Sequence, residues 1–171
     1  EVEVVLGDAR LSMEEELRVG KPQGFHVLAL DAFSSDAIPV HLLTRESVAI
    51  YLKHIDPKGV LAVHISNRYL DLEPVVRRLA REFDLTMMVV DNPDGDFGEE
   101  WVYASTWVLL GRDPGFFEIP ELWGYPLSDL TQNEDSPLWS DDYASIFRIM
   151  YKPAWWYRWA DRWKRLTGQT L

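Results

Sequence analysis

The side chains here best suited to chemistry are carboxylates placed just after short apolar runs. Val27 to Leu30 is one such run; it ends in Asp31, and Asp36 follows in the same loop. Val2 to Leu6 is another, ending in Gly7-Asp8-Ala9-Arg10. A carboxylate partly buried at a strand end can take the proton of a primary amine, which is a nucleophile only when unprotonated. The same residue type also caps helices and turns, so Asp8 and Asp31 each have a structural reading beside the functional one. Asp36 is either a contact for a cationic substrate or a solvated loop acid. Asp91, Asp94, Asp96, Glu99 and Glu100 form either an acidic rim suited to a polyamine or an exposed turn that keeps like charges in water. The chain has no Cys, and its four His, at 26, 41, 54 and 64, have no metal-site spacing. His64 lies in an apolar strand and reads as a satisfied core residue, so no metal is expected.

Positioning those acids requires strands and helices in alternation. Val2–Leu6 is expected to be a strand, and Ser12 with Glu15 resembles a capping box for a short helix through about Arg18. Gly20, Pro22 and Gly24 break the chain before the strand Phe25 to Leu30, whose consecutive apolar residues suit burial on both faces. Val48, Tyr51, Leu52 and Ile55 share one helical face, and Asp56-Pro57-Lys58-Gly59 reads as the turn into a strand at Val60 to Ile65. Leu72, Val75, Val76, Leu79, Ala80 and Phe83 make the clearest apolar stripe, with Glu73, Arg77, Arg78 and Arg81 opposite and Asp71 as N-cap. Strands at Leu85 to Val90 and Trp101 to Leu110 flank the acidic loop and are expected to pair as antiparallel edge strands. Gly111 to Pro137 is irregular, and Trp139 to Met150 regains apolar residues. The alternation predicts an α/β, mostly parallel sheet flanked by helices, with ligands beyond the carboxyl ends of its strands.

Bulk properties narrow the function. The 171 residues suit one domain, expected over 1–150, with a tail over 151–171. Lys and Arg number 17 against 28 Asp and Glu, a net charge of −11. Residues 152–171 carry five basic side chains and one acid, so residues 1–151 sum to −15. A body this acidic repels nucleic acid and favours small cations. No apolar run approaches the roughly 20 residues that cross a bilayer. The tail sets Trp156, Trp159 and Trp163 at helical spacing among Arg158, Arg162, Lys164 and Arg165, suited to packing on protein or to a membrane surface.

Gly7-Asp8-Ala9 after one strand and Leu30-Asp31-Ala32-Phe33-Ser34-Ser35-Asp36 after the next resemble the spermidine synthase (polyamine aminopropyltransferase) family, of class I methyltransferase-type fold. Trp139-Ser140-Asp141-Asp142-Tyr143 is similar to its large bacterial members, many of which carry a membrane-spanning portion. The resemblance covers roughly 2–110 and 139–150. It implies aminopropyl transfer from decarboxylated S-adenosylmethionine to an amine, with Asp31 as base, Asp8 and neighbouring Ala9 at the adenine, and Asp36 at the substrate. It implies a cytoplasmic chain, or the soluble part of a membrane-attached protein.

The family's Gly-rich first strand and the acid ending its second have no counterpart here, since the chain has no Gly-x-Gly. The resemblance therefore implies a partial Rossmann-like fold with its first strands absent, an isolated chain that lacks half the nucleoside pocket, and a bare sheet edge inviting homo-oligomers. Two alternatives stay open: methyl transfer from S-adenosylmethionine, and a non-catalytic binding or assembly module on the same fold.

Overall fold

A computed structural model describes residues 2–31, 39–92, 104–131, 135 and 137–151. Asp36, Asp94, Asp96, Glu99, Glu100 and the Trp-bearing tail lie outside the described residues.

The chain runs α1 (Ala9–Arg18), β1 (Phe25–Leu30), α2 (Arg45–His54), β2 (Ile55–His64), α3 (Glu73–Glu82), β3 (Thr86–Asn92) and β4 (Ser105–Gly111), followed by short 3₁₀ turns. The strands form one open mixed sheet in the order β1-β2-β4-β3. β1 and β2 are parallel, whereas β4 runs antiparallel to both β2 and β3. Three strands therefore point the same way, with one reversed strand inserted between β2 and β3. The expected antiparallel pairing of the last two strands is present, but the reversed strand is internal and not at the edge.

Each helix starts and packs for an identifiable reason. Asp8 caps α1 by accepting from the Leu11 amide at 3.0 Å, in place of the expected Ser12 box. Thr44 caps α2 through the Ser47 amide at 3.3 Å. α3 has Leu72 at its N-cap and Pro74 in its first turn; Asp71 sits one residue earlier and bonds the Glu73 amide at 3.2 Å. The α3 stripe is buried as its spacing predicts, Val75, Val76, Leu79 and Ala80 being shielded from solvent. Arg77 departs from the expected outer face: it is buried, donating to the Asp129 carbonyl at 2.6 Å and pairing with Glu73. Buried His54 ties α2 to α1, its Nε2 bonding the Met13 carbonyl at 3.0 Å while Nδ1 accepts from the Gln23 amide at 3.3 Å.

Alternate strand residues, Leu61, Val63 and Ile65 with Met87, Val108 and Leu110, join the helices in the main core with Tyr51 and Trp139. Each such large side chain contributes about 1.5–3 kcal/mol by leaving water. On the other face Val60, Ala62 and Met88 are also buried; Phe117 of the segment after β4 packs on Gly111, and Leu127 bridges to Met88.

Two expectations are corrected. Val2–Leu6 forms no strand: Val2 and Leu6 are 89% and 91% exposed, because no described strand offers them a partner. The Val27–Leu30 run is not buried on both faces either; Val27 is 57% exposed, because β1 ends the sheet.

The Asp56–Gly59 turn survives inside β2 as a bulge. Phe25 pairs with Ile55 and Val27 with Val60, so the register jumps there, and the Lys58 amide bonds Asp56 Oδ1 at 2.9 Å. Gly59 permits it: a Cβ there would lie 2.5 Å from the Phe25 carbonyl oxygen and 2.9 Å from that of His26. Gly59→Ala is expected to cost about 1–3 kcal/mol in urea unfolding. Gly124→Ala, with open space around its Cβ, should be near neutral.

Candidate functional site

The parallel register decides what meets at the carboxyl end of the sheet. Leu30 pairs with Val63, so the next residues, Asp31 and His64, lie side by side on one face, and His64 in turn pairs with Trp107 of β4. His64 Nδ1 lies 2.8 Å from Asp31 Oδ1, and its ring stacks on Trp107 with centroids 4.9 Å apart. The other ring nitrogen, Nε2, is 2.8 Å from Ser66 Oγ. Ser66 Oγ also accepts from the Thr106 amide at 2.7 Å, where the β2–β4 ladder ends, and Thr106 Oγ1 donates to Asp91 Oδ1 at 2.8 Å. A polar chain, Asp31–His64–Ser66–Thr106–Asp91, thus crosses the ends of β1, β2 and β3. This is the crevice where open α/β sheets hold ligands.

Asp31 is the accessible end, its side chain 60% exposed against 21% for His64. Oδ1 is taken by His64; Oδ2 has no hydrogen-bond partner among the described residues. Beside the chain opens a cleft of about 270 Å³ lined by Ser66, Asn67, Asp71, Glu73, Thr106 and Tyr151. Burial pushes the Asp71 carboxyl up, aided by the nearby Glu73 charge against the pull of the Glu73 amide, and burial likewise raises Tyr151.

Asp8 belongs to a different network. Its Oδ1 caps α1, and its Oδ2 accepts from His41 Nε2 at 2.9 Å. The capping bond and then His41 hold its carboxyl below the usual range. Ala9, next to it, is the first residue of α1. Arg10 reaches across the fold and grips Asp141 through two bonds of 2.7 and 2.5 Å, with Thr44 Oγ1 donating to the same carboxylate at 2.9 Å. His41, Arg10, Thr44 and Asp141 line a second cleft of about 550 Å³, with Asp142 and Tyr143 at its rim.

The structure brings Asp31 together with His64, Ser66 and Asp91, and Asp8 with Arg10's neighbourhood; it does not bring the two aspartates into direct contact. The expectation for His64 is a satisfied core residue; both its nitrogens are satisfied, but the ring lies partly exposed at a strand end, bonded to Asp31 and Ser66. The signal was present: two apolar runs ending in Asp31 and near His64 become neighbours once their strands are parallel. Ser66, Thr106 and Arg10 carried no local signal, and Asp141 stood out only within the Trp139–Tyr143 segment. Among the described residues no group of His, Asp and Glu is arranged to hold a metal, and no helix is long and apolar enough to cross a membrane.

No protein-family model matches the chain, and no curated protein is significantly similar to it.

The grip on Asp141 sets a pH dependence. The Arg10 bonds hold the Asp141 carboxyl down at about 2, from an ordinary value of 3.8. The unfolded chain takes up the proton first as pH falls, so this stabilisation is complete above about pH 4 and is lost on descending to about pH 2. Asp141→Asn is expected to cost about 1 kcal/mol at neutral pH, the site being partly exposed. The gap from wild type should close between those limits in urea melts repeated across pH.

Proposed function

We propose that this chain is part of a spermidine synthase-like transferase, moving an aminopropyl group onto a small cationic amine with Asp31 as general base. The observation that carries the reading is Asp31 itself, an exposed carboxylate just beyond β1 with one oxygen bonded to His64 and the other turned to no described partner. The co-directed strands β1 and β2 joined through α2, ending in this crevice, are compatible with the second half of a class I methyltransferase-type sheet.

The donor, decarboxylated S-adenosylmethionine, supplies a carbon activated by its sulfonium; the amine's lone pair attacks it, the carbon–sulfur pair leaves with sulfur, and the amine yields a proton. Asp31 Oδ2 receives that proton. Asp8 and Ala9 would meet the adenine, for each Asp8 oxygen keeps a second lone pair beyond the bonds it accepts. Asp71 and Glu73 in the adjacent cleft, with Asp91 nearby along the network, favour a cationic acceptor. Catalysis would come chiefly from holding amine and donor in line.

The test supplies the full-length protein, rather than the isolated chain, with decarboxylated S-adenosylmethionine and a short aliphatic diamine and follows methylthioadenosine. Asp31→Asn should lower turnover by about 100- to 10,000-fold. S-adenosylhomocysteine formed from S-adenosylmethionine instead would assign a methyltransferase. No calorimetric binding of methylthioadenosine would leave a non-catalytic module.

A further inference from the structure

His64 carries more than a ring packed at a strand end. Both its nitrogens are committed, Nδ1 to Asp31 and Nε2 to Ser66, and Ser66 is committed in turn to the Thr106 amide. An ionised carboxylate has no proton to give, so the bond between Asp31 Oδ1 and His64 requires the proton to sit on Nδ1. Nε2 of the neutral ring is then an acceptor and takes the Ser66 hydroxyl proton. The Thr106 N–H occupies a lone pair on Ser66 Oγ, leaving the hydroxyl hydrogen free to turn toward the ring. With Asp31 ionised and His64 neutral, this is the proton arrangement in which every contact along the chain sets a donor against an acceptor; the other tautomer would turn a bare Nδ1 toward the carboxylate.

We propose that His64 is the positioning residue of Asp31, resting on the reading of Asp31 as base. The Nδ1–H pins Oδ1, which fixes the plane of the carboxylate and leaves Oδ2 as the oxygen that receives the amine's proton. Taking that proton on Oδ2 breaks nothing: Oδ1 of the neutral acid still accepts from Nδ1, so the base changes charge without its support rearranging. Trp107 holds the ring's plane from one face, at an interplanar angle of 22°. Asp31 sets the tautomer, Ser66 accommodates it by donating to Nε2, and the Thr106 amide orients Ser66. The side chain of an otherwise exposed strand-end residue is thereby held by the sheet, which lowers the cost of aiming it.

Two measurements test this separately from the transferase reading. In protein labelled with nitrogen-15 in histidine, at alkaline pH where the ring is neutral, His64 is expected to carry its proton on Nδ1. Asp31→Ala should shift the population toward Nε2–H. An Nε2–H ring in the wild type, or an unchanged ring in Asp31→Ala, overturns the proposal whatever the protein's activity. In the turnover assay, His64→Leu should lower kcat by about 10- to 100-fold with KM little changed. His64→Asn, whose amide nitrogen falls near the place of Nδ1, should recover part of it. Turnover lost in Asp31→Ala yet untouched in His64→Leu also overturns the positioning role while keeping the base. Turnover retained in Asp31→Ala overturns the base reading instead, and the ring measurement still stands.

Discussion

The pairing of Leu30 with Val63 is the constraint on which the site depends. In a parallel ladder, neighbours in register point to the same face, so this pair places the next two residues, Asp31 and His64, within hydrogen-bond reach. The same ladder sends Leu30, Leu61 and Val63 into the core shared with the helices. A slip by one residue would turn His64 toward that core and Val63 toward the open face, burying a polar ring and exposing an apolar side chain at once. The close backbone approach at Gly59 holds the alignment from the other end of β2, because the bulge there absorbs the surplus residues before the regular pairing begins.

Two polar networks sit on the fold, and their completeness separates their roles. Asp141 has both oxygens gripped by the Arg10 guanidinium, with Thr44 added, and its carboxyl is held far down as a result. That contact joins the late segment Trp139–Tyr143 to α1 and to the capping residue of α2. Trp139 inserts fully into the core beside it, its carbonyl accepting from the Arg45 amide. A carboxylate so fully occupied holds elements together. Asp31 differs: it is bonded through one oxygen to a ring that is itself braced, and its other oxygen has no hydrogen-bond partner among the described residues.

Much of the fold was legible because burial imposes periodicity. The α3 stripe, the α2 stripe and the apolar runs of β2 and β3 follow from the need to hide those residues against a common core, which takes only Leu30 of β1 as a fully buried member. Legibility failed where one residue's fate depended on distant chain. Val2–Leu6 has strand-forming residues but no described neighbour to pair with. Arg77, on the polar side of its helix by spacing, is buried by the carbonyl of Asp129, and β4 inserts between β2 and β3 for reasons no local pattern states. Asp8 is caught between these cases: its capping of α1 follows from its place before the helix, while its bond to His41 depends on where the Val40–Leu42 turn ahead of α2 lies against it.

What the amino-acid order settled by itself was which residues stand at strand ends and which faces turn inward, since both follow from local spacing and the cost of leaving apolar surface in water. It placed an acid after β1 and a histidine at the end of β2, and left them strangers. Tertiary structure alone decided that they meet, because parallel pairing joins positions more than thirty residues apart through a register that no short stretch encodes. Ser66, Thr106 and Asp91 join that pair for the same reason: hydrogen bonds between side chains need angstrom-scale placement, and only the assembled sheet supplies it.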